Sequence, residues 1–180
     1  MVEPRQRRLA VVVLSVFTLV AVEQAEAQSA PEREGFTILV NLGLGIQHDA
    51  AIEETAVGLA GANLGVGGFL TENLALMFRF SGTNVTYDFG SGGEFSQVSG
   101  TAAPAIQYWF NRFNVEAGGG MGFWSSGGED EQGFGLILGA GVAIFNRGKH
   151  NLQVGVEYAP AFTDSGTVQN IGFTFGYQFL

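Results

Sequence analysis

Apolar residues alternate with small or polar residues along most of this chain, and the clearest example is its C-terminal segment. Large apolar side chains occupy every second position there, and small or polar residues stand between them: Ile171, Phe173, Phe175, Tyr177 and Phe179 against Gly172, Thr174, Gly176 and Gln178. A period of two places the two sets on opposite faces of a β-strand. The segment therefore predicts a strand over 171–179 with one largely aromatic face.

Seven further segments carry the same period and predict seven more strands: 36–46, 57–69, 74–81, 98–110, 113–123, 134–144 and 152–158. The first has Phe36, Ile38 and Val40 on its apolar face. In the second segment the alternation is weaker, and Ala60 and Leu64 are expected on the same, apolar face. Pro104 and Pro160 are predicted to lie at bulges or strand ends, because proline cannot donate to a strand ladder.

The connections between these strands alternate in length. Tight turns are predicted at 71–73, 111–112 and 146–149, and longer polar connections at about 47–56, 88–95, 125–132 and 163–167. Such an up-and-down meander, with short turns at one end, is typical of a transmembrane β-barrel. Only a helix or a closed sheet satisfies its backbone polar groups inside hydrocarbon. The sequence thus predicts an all-β fold, an eight-stranded antiparallel up-and-down transmembrane β-barrel. The alternative is a soluble lipocalin-like barrel whose apolar face points inward.

The N-terminus changes the picture by predicting export. Arg5, Arg7 and Arg8 precede an apolar run over 9–22, and Ala25-Glu26-Ala27 follows. This is the layout of a secretory signal peptide, and the run is short for a spanning helix. We predict a cleaved signal peptide at 1–27, a linker at 28–35 and the barrel domain at 36–180, with an uncleaved membrane anchor as the alternative.

The charge of the chain limits the classes of partner that are expected. The chain has a formal net charge of −9 and no cysteine. Nucleic acid is not an expected partner, because binding phosphates needs clustered Lys and Arg. Acidic residues without basic ones fill the polar connections: Asp49, Glu53, Glu54, Asp88, Glu94, Glu129, Asp130, Glu131 and Asp164. They form either a solvated surface or a surface for divalent cations or basic partners. No spacing predicts a dedicated metal or cofactor site.

The face opposite the apolar one would line the lumen, and it is rich in glycine. An eight-stranded barrel is just wide enough for side chains to fill. Three charges, Arg79, Glu116 and Glu157, are expected to point inward at similar depth and to pair, because an unpaired buried charge is costly. We interpret this lumen charge cluster as a packing device in a plugged barrel. The alternatives are a gate that opens when the cluster separates and a small solute channel.

Three stretches resemble the small outer-membrane barrels of Gram-negative bacteria, of the OmpA-barrel and OmpX type: GFLTENLAL at 68–76, YWFNRFNVEAG at 108–118 and YQF at 177–179. The resemblance implies an outer-membrane protein that contacts membrane lipid and lipopolysaccharide and acts in membrane structure or surface interaction. It also implies periplasmic chaperones and the barrel assembly machinery as partners in biogenesis. The assembly signal would be Phe173, Phe175, Tyr177 and Phe179, and Leu180 after it is a departure from the family.

Some barrels of this size modify lipid A, so a lipid A-modifying enzyme is a further alternative. Such chemistry needs a nucleophile and a base, and His48 and His150 are the only histidines. No serine adjoins His48, the His-x-Ser pattern of the deacylases is absent, and His150 lies in a predicted tight turn. We therefore predict that the protein is not an enzyme.

Overall fold

The computed structural model describes residues 33–88 and 94–180. The predicted signal peptide at 1–27 and most of the predicted linker lie outside the described residues. Within the described residues, no helix is both long enough and apolar enough to cross a bilayer.

The described chain forms one antiparallel sheet that closes on itself. Its strands are β1 Gly35–Asp49, β2 Glu54–Thr71, β3 Leu74–Asp88, β4 Glu94–Phe110, β5 Phe113–Ser126, β6 Glu129–Arg147, β7 His150–Tyr158, β8 Ala161–Thr163 and β9 Gly166–Phe179. Each strand from β1 to β6 pairs with the next, and β9 pairs with both β7 and β1. The short β8 continues β7, since both pair with β6 and β9. The ring therefore has eight strands, one of them in two pieces, and the predicted fold class is confirmed.

The apolar face of the barrel points outward. On β1, Leu42 is 61% exposed, whereas Leu39 and Gln47 on the opposite face are buried. The outward apolar row runs from Phe36 to Ile46, which at a strand tilt of about 40° spans about 25 Å of the barrel axis. That height matches the apolar band of transmembrane barrels. The lipocalin-like alternative is wrong, because it needs the apolar face inside.

A bulge in β2 corrects one expected facing. The register with β3 shifts by one residue between Ala60 and Leu64, and the register with β1 shifts at the same level. Beyond the bulge the parity is reversed, so Ala60 points inward and is 2% exposed, while Leu59 points outward and is 67% exposed. A one-residue slip moves every following side chain to the other face.

The connections differ in length less than predicted. Most of the polar segments expected as long loops belong to the strands, and the described connections at this end are only 50–53, 127–128 and 164–165. Gly127 and Gly128 both adopt positive φ, at 61° and 91°. Two successive residues of positive φ are characteristic of a tight hairpin turn. The region 89–93 lies outside the described residues.

The two prolines behave differently. Pro160 lies between β7 and β8 and interrupts the strand, as expected. Pro104 lies inside β4, where it pairs with Phe78 of β3 without any register shift. The N–H groups of successive strand residues point to opposite neighbouring strands. The N–H of Trp109 donates to Asn73 O on the β3 side, so even-numbered positions such as 104 direct their N–H towards β5, where Pro104 has none to donate. The expected bulge at Pro104 is therefore absent.

Candidate functional site

The lumen brings together the three charged residues that the sequence places there. Arg79, Glu116 and Glu157 lie on β3, β5 and β7, and all three side chains are buried. The Arg79 Nε atom lies 2.7 Å from Glu116 Oε1, and its Nη2 atom lies 2.5 Å from Glu157 Oε2. One guanidinium thus bridges two carboxylates across the lumen, and charge-assisted contacts of this kind are the strongest hydrogen bonds that side chains make.

Glycines make the room for this cluster. Gly65 is the cross-strand partner of Arg79, and Gly139 is the partner of both Glu116 and Glu157. A Cβ atom on Gly65 would lie 2.8 Å from Arg79 Cδ. Each large charged side chain therefore stands opposite a glycine, and at Gly65 the missing Cβ leaves the space that Arg79 occupies.

Neutral side chains continue the network. Asn63 donates from Nδ2 to Glu157 Oε1 at 2.9 Å, and the Ser81 hydroxyl donates to the same oxygen. Gln107 donates to Glu116 Oε2 at 3.4 Å, and its own Oε1 accepts from Trp109 Nε1 at 2.9 Å. Buried carboxylates retain their charge only with such partners.

Little empty space remains around the cluster. A cavity of about 20 Å³ lies between Arg79, both glutamates and Asn41. That is room for about one water molecule. The Arg79 Nη1 and Asn41 Oδ1 atoms are buried, with no hydrogen-bond partner among the described residues. A water in this cavity would have a donor and an acceptor available.

The tight-turn end of the lumen is closed by a group of residues that the sequence analysis did not bring together. Trp109, Ala143 and Leu180 form a buried apolar cluster, with Phe69 packed against it. The guanidinium of Arg33 lies 4.4 Å from the Trp109 ring centroid. Burial lowers the pKa of Arg33 to about 10, so it remains charged at neutral pH. We call Arg33, Phe69, Trp109, Ala143 and Leu180 the end cap.

The upper lumen, at the other end of the barrel, is polar and hydrogen-bonded. Ser99 lies 2.9 Å from Gln47 Oε1 and 3.0 Å from Asn170 Oδ1. Nearer the mouth, Gln97 donates to Asp49 Oδ2 at 2.9 Å. Asp49 therefore points inward, so this acidic residue is not part of the outer surface where the sequence analysis placed it.

The residues of the predicted assembly signal lie outside the lumen. Phe173, Phe175 and Tyr177 point outward from β9, and Phe179 is half-buried at its end. They are not in contact with the lumen charge cluster. Leu180 follows them with its side chain fully buried and its N–H donating to Lys149 O at 2.8 Å.

Both histidines contact a hydroxyl group on the exposed face of the barrel. His48 Nδ1 lies 3.0 Å from Thr55 Oγ1, and His150 Nδ1 lies 2.6 Å from the Tyr177 hydroxyl. Over 33–88 and 94–180, no group of three or more His, Cys, Asp or Glu residues is arranged to hold a metal ion.

The closed ring, its apolar exterior and its polar, filled interior define the class of small transmembrane β-barrels. Solved structures of outer-membrane proteins share the fold. The chain superposes on Neisserial surface protein A with a TM-score of 0.57 at 16% identity, over 81% of this chain and 96% of that one. It superposes on Ail, the attachment invasion locus protein of Yersinia pestis, with a TM-score of 0.50 at 18% identity, over 82% and 99% of the two chains. No protein-family model and no curated protein matches this sequence.

Proposed function

We propose that this protein is an integral outer-membrane β-barrel whose lumen is plugged by side chains and which acts in membrane structure or surface interaction. The single observation that carries the proposal is the Arg79 bridge between Glu116 and Glu157, beside a cavity of about 20 Å³. A hydrated solute does not pass a space that holds one water. The end cap adds a second, apolar closure below it.

Orientation follows from the turns. The described termini and the two-residue turns at 72–73, 111–112 and 148–149 lie at one end, whereas the other end carries the longest described connection, 50–53. In barrels of this class short turns face the periplasm. The opposite rim, with exposed Glu53, Glu129 and Asp130, would then face outward among lipopolysaccharide. Acidic groups there suit divalent cations that also bridge lipid phosphates. Phe173, Phe175, Tyr177 and Phe179 are proposed as the signal read by the assembly machinery.

Surface interaction is favoured over catalysis. The described lumen is filled by paired charges and amides, and the contact between His48 Nδ1 and the Thr55 hydroxyl lies on the exposed face of β1 and β2. We therefore propose no enzymatic activity. A direct test is mass spectrometry of lipid A from cells that overexpress the protein: unmodified lipid A is expected, and a new acylation state would contradict this part of the proposal.

The second candidate, a gated solute channel, is favoured by the same ion pairs, since a bridge can separate. Planar-bilayer recordings of the wild type and of Arg79→Ala distinguish the functions. A plugged barrel is expected to be silent in both forms. Discrete openings of the wild type would contradict the plug, and openings of Arg79→Ala alone would establish a gate.

A further inference from the structure

The exposed charges of the tight-turn rim are separated around the barrel. Arg147 at the end of β6 and Lys149 in the β6–β7 turn are exposed, and Arg112 lies in the neighbouring β4–β5 turn. The exposed acids of this rim, Glu34 and Glu72, lie on the side formed by β1, β2 and β3. The rim is therefore basic on one side and acidic on the other.

The β6–β7 turn is anchored where the apolar band ends. His150 pairs with Phe179 across the ladder, and its ring lies 5.9 Å from the rings of both Tyr177 and Phe179. The 2.6 Å contact between His150 Nδ1 and the Tyr177 hydroxyl fixes the two side chains together. Aromatic residues with one polar end mark the membrane–water interface. The turn is thus held at the depth of lipid headgroups.

Two cations of this turn have no protein counter-charge. Among the described residues, neither Arg147 nor Lys149 has a carboxylate within ion-pair distance. Arg147 is the last residue of β6, and Lys149 lies in the two-residue turn that follows, where Gly148 adopts a φ of 58°. Exposed, unpaired cations beside interfacial aromatics suit a phosphodiester anion, which each of them can contact.

We infer that Arg147 and Lys149, with the His150–Tyr177 pair beneath them, form a binding surface for the headgroups of anionic phospholipids in the inner leaflet. This inference rests on the proposed function, because it needs the tight-turn end at the periplasmic face of a membrane. Each Lys or Arg near an anionic surface contributes about a fivefold gain in affinity. The two together account for a preference of about thirtyfold over a zwitterionic lipid.

The test is a titration of the full-length protein, folded in zwitterionic detergent micelles, with phosphatidylglycerol or phosphatidylcholine, read by native mass spectrometry. The wild type is expected to bind phosphatidylglycerol preferentially, and Arg147→Gln with Lys149→Gln to lose about thirtyfold in that affinity. Glu72→Gln, in the β2–β3 turn on the acidic side, is the matched control and is expected to leave the affinity unchanged.

Three other outcomes of the titration would overturn the inference. Equal binding of both lipids by the wild type, or an unchanged double variant, overturns the inference. Binding of free glycerol phosphate as strong as that of the lipid also overturns it, because the site would then recognise a soluble anion. Heat-modifiable migration on gels distinguishes failure of the lipid-binding inference from failure of the proposed function. A compact band with no lipid preference contradicts this inference alone, whereas the absence of a compact band contradicts the proposed barrel.

Discussion

A single arginine determines the electrostatics of the middle of the lumen. Arg79 is 1% exposed and contacts both glutamates, which have neutral donors for their remaining oxygens. Removing one partner of a buried ion pair leaves an uncompensated charge, whereas replacing all partners by neutral groups is often harmless. The cluster is therefore a unit whose members depend on one another.

Arg79→Ala is expected to destabilise the folded barrel by about 3–5 kcal/mol, because two buried carboxylates lose their counter-charge. Urea unfolding in lipid vesicles measures this as a shift of the midpoint. Arg79→Met combined with Glu116→Gln and Glu157→Gln removes all three charges and is expected to recover most of the loss. A single variant as stable as the wild type would contradict the account of the cluster.

Two lumen-facing glycines offer a matched pair. A Cβ atom on Gly67 would lie 2.1 Å from the backbone oxygen of Leu76, whereas one on Gly139 would lie 3.6 Å from its nearest neighbour, Glu116 Cβ. Gly67→Ala is expected to cost roughly 1–3 kcal/mol, since the β2–β3 ladder must move. Gly139→Ala is expected to be close to neutral in the same urea assay. The reverse order would show that backbone approach does not explain these glycines.

At the scale of the strands, the alternation of apolar and polar residues predicts the facing of side chains correctly wherever it is uninterrupted. The parity of β3 is continuous, so Arg79 and its outward neighbour Phe78 were placed correctly. In β2 the bulge near Ala60 has no signature in the hydrophobic pattern, and the facing beyond it was wrong. The strand ends were missed for a different reason: where the outward residues become polar, as at Thr86 and Gln132, alternation disappears although the ladder continues.

The end cap could not be predicted from the sequence because its residues come from distant parts of the chain. Trp109 lies in β4, Leu180 follows β9 and Arg33 precedes β1. Period-two reasoning places Trp109 on the inner face but does not say what it meets. The signal that could have found the cap is a large aromatic on a face otherwise made of small and polar residues.

Leu180→Ala tests the end cap. The Leu180 side chain is 0% exposed, and truncating a buried leucine typically costs about 2–5 kcal/mol. In a Trp124→Phe background, Trp109 alone reports on the cap, and its fluorescence is expected to shift to longer wavelength as water enters. Leu70→Ala, at a position that is 66% exposed, is the control. Unchanged stability and emission for Leu180→Ala would contradict a sealed end.

For the whole molecule, the distribution of polarity agrees with a barrel in a bilayer. Apolar side chains form a band of about 25 Å outside, and the interior is filled with paired charges and amides. Basic residues of the β6–β7 turn and acidic residues of the opposite rim lie at the two ends. The sequence analysis placed the acidic residues in the longer polar connections. Because the strands extend into most of these segments, Glu129 and Asp130 begin β6 and Asp49 at the end of β1 points into the lumen.

The most direct test measures the environment of the two faces of the barrel wall. The chain has no cysteine, so Leu42→Cys on the outward face and Gln107→Cys in the lumen each carry a single spin label. In vesicles, the label at 42 is expected to collide with oxygen dissolved in lipid and not with a water-soluble nickel chelate, and the label at 107 to be shielded from both. Access of the chelate to residue 42 would contradict the lipid-facing exterior, and access to residue 107 would contradict the plugged lumen.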